Sequence, residues 1–572
     1  MANILGLSCF YHDSAACLVQ DGRVVAAADE ERFSRKKHDS GFPERAVRFC
    51  LERGGINAGD LDAVVFYEKP FQKFQRLLTT SIATWPRSSR VFRHSMTTWL
   101  GEKFWMKNVI QKHMSVPYDK ILFVEHHLSH AASAFLPSPY DEAAVMTVDG
   151  VGEWTTTTTG HAKTVNGRTT INLAHGIHFP HSLGLLYSAF TAWLGFEVNE
   201  GEYKVMGMAP YGKPEFLEKV HKVCRLDDDG FIQLDMSYFS HHHDLEKTYT
   251  SKFEDLFGPA CPKGEPVAPH SLYANVASSI QKFTEEAMLR MARKAYSDSG
   301  GCKKLVLCGG CALNSVANYR ILKETPFEEI FVQPSAGDSG AAMGAALYAD
   351  HVLFGNPRRF HLEHAYWGSE YSQGQVEDFL KTTGAKWERI EDNARLYELV
   401  TNRLQKGHVV GWMQGRFEWG PRALGNRSIL ADPRRAEMKD IVNAKIKFRE
   451  AFRPFAPSVL IESVKDHFEM QDAQRHQPSR YMLYVVPITT DAIPAVKHED
   501  GTGRLQAVER HVNERYYDMI KTHGEATGVP IVLNTSFNLK GEPIVTTPAD
   551  AFSTFMRCEM DMLVMENAVV YK

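Results

Sequence analysis

The sequence predicts an α/β protein whose first half lays down one mixed sheet twice, and three observations carry that expectation. Short Val/Ile/Ala-rich runs alternate with helical periodicity along the whole chain. The order strand, hairpin, helix, strand at the N-terminus returns from Ala143 onward. Strands then run into turns rich in glycine and aspartate at "CGGCALN" and "SAGDSGAA", each opening a helix.

Taken in order, Ile4–Ser8, Ala15–Gln20 and Arg23–Asp29 are expected strands, the last two joined by Asp21-Gly22, a strong hairpin turn. A helix is expected over Glu44–Arg53 and a strand over Leu61–Tyr67. Residues 71–113 mix Arg, Lys, Trp and Phe without strand alternation, so they are expected to be a helical insertion. Its cations are read as solvated, with a nucleic-acid contact or a substrate lid as the alternatives. The second round opens with Ala143–Asp149, continues through a Thr-rich strand, and turns at Asn166-Gly167 before "RTTINLAHG". Two halves of this grammar match, by fold-level analogy, the duplicated ribonuclease H-like sheet of the actin-like and sugar-kinase ATPases. Pro and Gly between Phe354 and Ser372 mark a boundary, after which a helix ("SQGQVEDFLKTTG") and a buried strand ("HVVGWMQG") begin a second α/β domain.

With 572 residues, 44% apolar and 23% charged, the chain is too long for one core. Its 65 Lys and Arg nearly balance 69 Asp and Glu, a formal charge of -4, so no global field draws in nucleic acid or an anionic membrane. Any anion site must be local. Nine cysteines form no regular framework, and only Cys308 and Cys311 are close, which fits a reduced, cytoplasmic setting. No basic signal-type start and no apolar run near ~18 residues occur, so a soluble, unexported protein is expected.

The chemistry concentrates in a few places. In "VEHHLSHAASAF", His126 and His130 lie four residues apart and would share one helix face, with His127 pointing elsewhere. Asp149 ends a strand, and Asp338 follows another in "AGDSG". Strand-end loops of one sheet can converge, so these four residues could make a site for iron or zinc with positions left for water or substrate. Alone, the His pair is equally a cap or a hydrogen-bonded surface pair. It is not a zincin pair, because no Glu stands between the histidines. The two cysteines of "CGGC" are read as flanking a glycine turn beside a nucleotide, not as a redox or zinc pair. His12 and Asp13 occupy the turn between the first two strands, where a histidine is either a general base or a solvated turn residue. Arg35, Lys36 and Lys37 read as a solvated loop from which one lysine could reach an anionic substrate. In the second domain, Lys445, Lys447, Arg449 and Arg453 stand among Phe, Pro and Ala near "QGRFEWGPRALGNRSILADPR". Cations in apolar company need an anionic partner, which favours a phosphate or carboxylate site over structural ion pairs. Asn534, Thr535, Ser536 and Asn538 end a Val/Ile strand with small polar groups suited to the same ligand.

Nine segments, "FYHDSAA", "HHLSHAASAF", "DGVGE", "EGEYKVMGMAPYG", "GGCALN", "GDSGAA", "GPRALGNRSI", "KFREAFRPFAPSV" and "LNTSFN", together resemble the antibiotic and nodulation-factor O-carbamoyltransferases across nearly the whole chain. The resemblance implies an actin-like transfer domain over 1–356, similar to the metal-bearing threonylcarbamoyl transferase of tRNA modification. It further implies a linker over 357–371 and a YrdC-like domain over 372–572. The implied reaction has two steps: carbamoyl phosphate and ATP form carbamoyladenylate, and a hydroxyl of a small secondary-metabolite acceptor then takes the carbamoyl group. By the same resemblance, His126, His130, Asp149 and Asp338 would hold Fe2+, Zn2+ or another divalent metal, and Mg2+ would accompany ATP. His12 would deprotonate the acceptor, with Lys37 as a further catalytic group. Gly150, Gly152, Lys204, Gly309, Gly310, Asn314 and Gly337 would line the nucleotide. Arg422, Lys447, Arg449, Arg453, Arg504, Asn534 and Ser536 would hold carbamoyl phosphate and ATP. The expected partners are small molecules, with no membrane or nucleic acid and with room for a homodimer. A small-molecule kinase, threonylcarbamoyl transfer to tRNA and a non-catalytic scaffold are the competing readings. The acceptor is not legible; residues 71–113 and the His241, His242, His243 segment, read as a solvated loop, would shape its site.

Overall fold

The computed structural model describes residues 2–101, 103–450 and 452–572. Met1, Glu102 in the insertion and Ala451 in "KFREAFRPF" lie outside them. The chain divides into two units, 1–27 with 40–362, and 28–39 with 363–572. Among the described residues no helix is long and apolar enough to cross a membrane.

The first unit contains two five-stranded sheets of one topology. Strands β1 (Asn3–Ser8), β2 (Ala15–Gln20), β3 (Arg23–Asp29), β4 (Ala63–Phe66) and β5 (Ile121–Phe123) stand in the order β3-β2-β1-β4-β5. β1 runs antiparallel to β2 and parallel to β4, which runs parallel to β5. In the second round, β6 (Glu142–Val148), β7 (Thr155–Val165) and β8 (Arg168–His178) precede a small hairpin, β9 (Cys224–Leu226) with β10 (Ile232–Leu234). β11 (Lys304–Cys308) and β12 (Glu329–Val332) then complete the order β8-β7-β6-β11-β12. The directions repeat: β6 is antiparallel to β7 and parallel to β11, which is parallel to β12. This is the duplicated α/β sheet of the actin-like ATPases. The two hairpins stand at equivalent places, and each turns on a pair with positive φ, Asp21-Gly22 (50° and 76°) and Asn166-Gly167 (51° and 77°).

A helix follows the last strand of each round: His126–Phe135 after β5, and Asp338–Tyr348 after β12. Both are rich in Ala, Gly and Ser and almost wholly buried. They touch at Gly344, where a Cβ would stand 1.9 Å from the Ser129 carbonyl oxygen. Only a residue without a side chain permits that approach.

The insertion is helical, as Pro70–Ala83, Ser89–Gly101 and Met106–Met114. The reading of its cations as solvated needs correction at two positions. Lys73 and Arg76 are buried: Lys73 pairs with Glu68 at 2.5 Å, and Arg76 donates to the Gly152 carbonyl at 2.9 Å while lying over the Phe179 ring. The His241–His243 segment is likewise half-buried, with His241 Nε2 3.2 Å from the Pro180 carbonyl oxygen.

The second unit is built on one mixed sheet of nine strands. In chain order they are β13 (Trp387–Arg389), β14 (Val410–Met413), β15 (Arg427–Ala431), β16 (Ala456–Leu460), β17 (Tyr484–Pro487), β18 (Thr502–Val508), β19 (Ile531–Ser536), β20 (Met562–Met565) and β21 (Ala568–Tyr571). They stand in the order β13-β21-β20-β14-β15-β19-β16-β18-β17. Helices Asn393–Gln405 and Glu514–Thr527 pack Leu396, Val400, Tyr516 and Ile520 against Trp412, Leu430 and Val532 of the sheet. This apolar face supplies the core of the unit.

Candidate metal centre and anion site

The helix after β5 starts at His126 because the Glu153 carboxylate accepts from its backbone N–H at 3.0 and 3.2 Å and from that of Lys69 at 2.7 Å. An acid at this end satisfies the unpaired N–H groups of the first turn. One turn of helix puts His130 on the same face, with ring centroids 4.6 Å apart. Opposite stand Asp149, directly after β6, and Asp338, the first residue of the helix after β12.

The four side chains are buried, and their ligand atoms all lie within 4.8 Å of one another. His126 Nε2 is 3.0 Å from Asp149 Oδ2 and 3.7 Å from Asp338 Oδ1. His130 Nε2 is 3.6 Å and 3.3 Å from the same two oxygens, and the two Nε2 atoms are 3.1 Å apart. Among the described residues, Nδ1 of both rings is enclosed without a hydrogen-bond partner, so the carboxylates opposite set which nitrogen carries a proton. Gly310 N–H donates to Asp149 Oδ1 at 2.8 Å, and the Tyr67 hydroxyl to Asp338 Oδ2 at 3.4 Å. Gly152 leaves room for the His126 ring, which a Cβ would approach to 2.9 Å.

Electrostatics are concentrated here. Burial alone would push the His130 imidazole down, but Asp149 and Asp338 reverse that and hold it at about 9. Burial would raise both carboxyls, yet the imidazoles pull Asp149 well below the ordinary range and lower Asp338. Two buried carboxylates facing two imidazoles need positive charge between them, as protons or as a cation. Two imidazole nitrogens with two carboxylate oxygens form a donor set suited to a divalent transition ion. His127 is turned away onto Thr147 Oγ1 (2.6 Å) and the Thr155 carbonyl (2.8 Å) and is kept neutral, pushed down to about 3 by burial and its neighbouring histidines.

His12 lies in the turn after β1, with Nε2 3.7 Å from Asp338 Oδ2 and Nδ1 2.6 Å from Asp13 Oδ2. Burial opposes its charge, but the Asp13 hydrogen bond and then Asp338 raise it to about 9. Gly150, Gly152, Gly310 and Gly337 adjoin Asp149 or Asp338 in sequence or space, whereas Gly309, at φ 92°, ends β11. The Asn314 amide is already engaged, capping the following helix at Ala317 N–H (3.1 Å) and pairing with Gln281 at 3.0 and 3.1 Å. Lys204 sets its ammonium 5.4 Å above the Phe196 ring.

In the second unit Lys447 is 4% exposed and donates to Ser536 O, Ser536 Oγ, Asn538 O and Asn538 Oδ1 at 2.8, 3.3, 2.9 and 2.5 Å. None of these acceptors is a carboxylate. Burial first, then Arg449, Arg453 and Lys37, push the ammonium well below its usual range, so bound negative charge would restore it. Arg449 donates to Asn443 Oδ1 at 2.7 Å. Lys445 and Arg453 behave differently, pairing with Glu559 and Glu450 at 3.4 and 3.5 Å. Asn534 donates to the Ala423 carbonyl (3.1 Å) and to Gln506 Oε1 (2.9 Å), two positions before Ser536 on the same face of β19. Arg422 and Arg504 are half-buried, one in the loop before β15 and one on β18.

Several residues that shape these sites escaped the sequence reading. Glu153 starts the histidine helix. Glu418 accepts from the backbone N–H of Leu424, Asn426 and Arg427 at 2.8, 2.9 and 3.1 Å, folding the "GPRALGNR" loop around its carboxylate. The available signal was a lone acid inside a Gly/Pro-rich, Arg-bearing turn. Arg35 was read as solvated but donates to the Ile544 and Pro543 carbonyls at 2.6 and 2.9 Å. Its segment packs on the second unit, and that placement was not visible in local sequence.

Comparison with known proteins gives a consistent picture. Residues 3–347 match the family described as Carbamoyltransferase N-terminus, and 401–572 match Carbamoyltransferase C-terminus. An uncharacterized protein of Synechocystis sp., sll1178, is 45% identical, covering 100% of this chain and 97% of its own. Nodulation protein NolNO of Sinorhizobium fredii is 38% identical over 98% of this chain and 79% of its own. A 3'-hydroxymethylcephem-O-carbamoyltransferase of Streptomyces clavuligerus is 33% identical over 47% of this chain and 49% of its own. With both parts matched in order and a relative similar from end to end, the chain belongs to the carbamoyltransferase family.

Proposed function

We propose that this protein is an ATP-dependent O-carbamoyltransferase working in two steps. In the second unit, water cleaves carbamoyl phosphate to carbamate and phosphate, and the carbamate oxygen then attacks the α-phosphorus of ATP, so that pyrophosphate leaves and carbamoyladenylate forms. In the first unit, an acceptor hydroxyl adds to the carbamoyl carbon, the bond to the adenylate oxygen breaks, AMP leaves, and the hydroxyl proton passes to a base. The observation that carries this reading is the set of four buried ligand atoms within 4.8 Å of one another, beside a histidine reached through Asp338.

The residues have distinct tasks. His126, His130, Asp149 and Asp338 would hold a divalent ion such as Fe2+ or Zn2+, which when bound offers a Lewis acid for the phosphate and carbamoyl oxygens. His12, oriented through Nδ1 by Asp13, would take the hydroxyl proton at Nε2, the nitrogen facing the cluster. Positive charge at the cluster would offset the carboxylates that now keep His12 protonated, bringing it toward working pH. Gly150, Gly152, Gly309, Gly310 and Gly337 would let backbone approach the nucleotide, and Lys204 would meet its phosphates. Lys447, Arg449, Arg422, Arg504, Asn534 and Ser536, with Lys37 and Arg453, would bind carbamoyl phosphate and ATP with Mg2+. A carbamate is a weak electrophile, and joining it to a phosphate as a mixed anhydride supplies the leaving group.

The test is incubation with carbamoyl phosphate, ATP, Mg2+ and iron(II) beside a panel of hydroxylated metabolites, read by mass spectrometry and nucleotide analysis. A product heavier by one carbamoyl group, with AMP and pyrophosphate in step, supports the reading. Formation of ADP with a phosphorylated product would instead make the protein a small-molecule kinase.

A further inference from the structure

The second unit contains a segment from far upstream, Ala28–Asp39, and the way Arg32 is held in it assigns that residue a task. Arg32 is 1% exposed, yet its Nη2 meets only backbone oxygens, donating to Gly420 at 2.7 Å and reaching Glu418 at 3.5 Å. Its guanidinium lies 5.5 Å from the centre of the Phe417 ring. Nε and Nη1 are enclosed without a partner among the described residues. A buried guanidinium held this way is expensive, and an apolar side chain of similar volume would stabilise a core better. What Arg32 supplies that an apolar side chain cannot is a fixed donor at one point of one loop.

That point is informative. The loop bends through positive φ at Gly420 (103°) and Gly425 (109°). Pro421 has no N–H to anchor the stretch between them. On the near side of Arg422 the Gly420 carbonyl is held by Arg32; on the far side the Ala423 carbonyl is held by Asn534 at 3.1 Å. The Glu418 carboxylate gathers the N–H groups of Leu424, Asn426 and Arg427 beneath. Three residues later in the upstream segment, Arg35 fastens it to the carbonyls of Pro543 and Ile544 and to Asp550 at 3.4 Å. The same segment carries Lys37.

We propose that Arg32 is a positioning residue for carbamoyl phosphate activation: from the Ala28–Asp39 segment it fixes the Gly420 carbonyl and thereby the presentation of Arg422 to the anion. This rests on the proposed two-step reaction. It adds that the anion site of the second unit is incomplete without residues 28–39.

The test uses the full chain. R32M, R32K and wild type are compared for carbamoyl phosphate-dependent pyrophosphate release from ATP, with KM and kcat resolved, and for iron(II) bound per chain. For R32M we expect KM for carbamoyl phosphate to rise about tenfold or more, with kcat at saturation and iron content near wild type, because one charge-assisted hydrogen bond is lost. R32K keeps a charged donor without the fork and should fall between them. Should R32M fail to fold, R32K decides alone by the same KM readout. Variants with unchanged KM, or with a loss confined to thermal stability, overturn the assignment while leaving the two-step reaction standing. A wild-type protein that releases no pyrophosphate overturns the underlying reaction and this inference with it.

Discussion

His130 and Asp338 are each useful only through what faces them. Removing one acid from the cluster leaves two imidazoles with a single carboxylate, so D338N should lower bound iron(II) by at least ~10-fold and carbamoyl transfer by ~100-fold or more. Metal analysis beside turnover checks this; unchanged metal content with full turnover would remove the four-residue site. A second residue-scale expectation concerns His523, 0% exposed, with neither ring nitrogen partnered among the described residues and its imidazole pushed down to about 4, by burial first, despite Asp432. The unfolded chain binds this proton below about 6.5 while the folded state refuses it until about 4. Stability is therefore lost as pH falls through that window, on the order of 3 kcal/mol from this one residue. Urea midpoints between pH 7 and pH 4 should show it, and H523F should flatten the slope. At this scale the sequence was legible where spacing dictates geometry: a four-residue step put both histidines on one face. It was not legible where a partner lies far along the chain, as with Glu153 for His126 or Glu418 for the arginine loop.

The two helices that follow β5 and β12 are the elements on which the first site depends. Gly152 belongs to the loop behind the first of them, and G152A would drive a methyl to 2.9 Å from the His126 ring. We expect a folded protein whose iron(II) affinity falls about tenfold, read by competition with a chelator. G344V is harsher, since its Cβ would sit 1.9 Å from a backbone oxygen that no rotamer can move. Loss of several kcal/mol, on the scale of overpacking in a core, should appear as insoluble protein or a much lower Tm. The hairpins and most strands of both rounds were readable because Asp-Gly and Asn-Gly turns and Val/Ile runs act locally, whereas the three-residue β5 is too short to leave such a pattern. The helical insertion was readable as helix, but its buried Lys73 and Arg76 were not, since a cation's burial depends on what packs over it. The small-residue helices were likewise visible as helices, while their mutual contact at Gly344 was not, because a close approach leaves no periodic trace.

Across the whole first unit, the β-sheet is written twice and the chemistry is divided between the copies. The turn after β1 carries His12 and Asp13, while the equivalent turn after β6 carries Asp149. The helix after β5 carries His126 and His130, while its counterpart after β12 begins with Asp338. Adding iron(II) to metal-stripped protein should therefore raise Tm, since the ion relieves two buried carboxylates, and should release protons in proportion as the imidazoles give theirs up. A pH indicator in weak buffer together with calorimetry reads both, and metal uptake without proton release would show that the cluster holds no protons to displace. The fold class was legible at this scale because repetition survives in the order of elements even where no letters match.

A fragment ending before Ala143 would keep His126 and His130 without Asp149 and Asp338, and a fragment starting there would keep the acids without the imidazoles, so neither half contains the four-residue cluster. Iron(II) uptake would thus report on the docking of one round of strands against the other, and on neither alone.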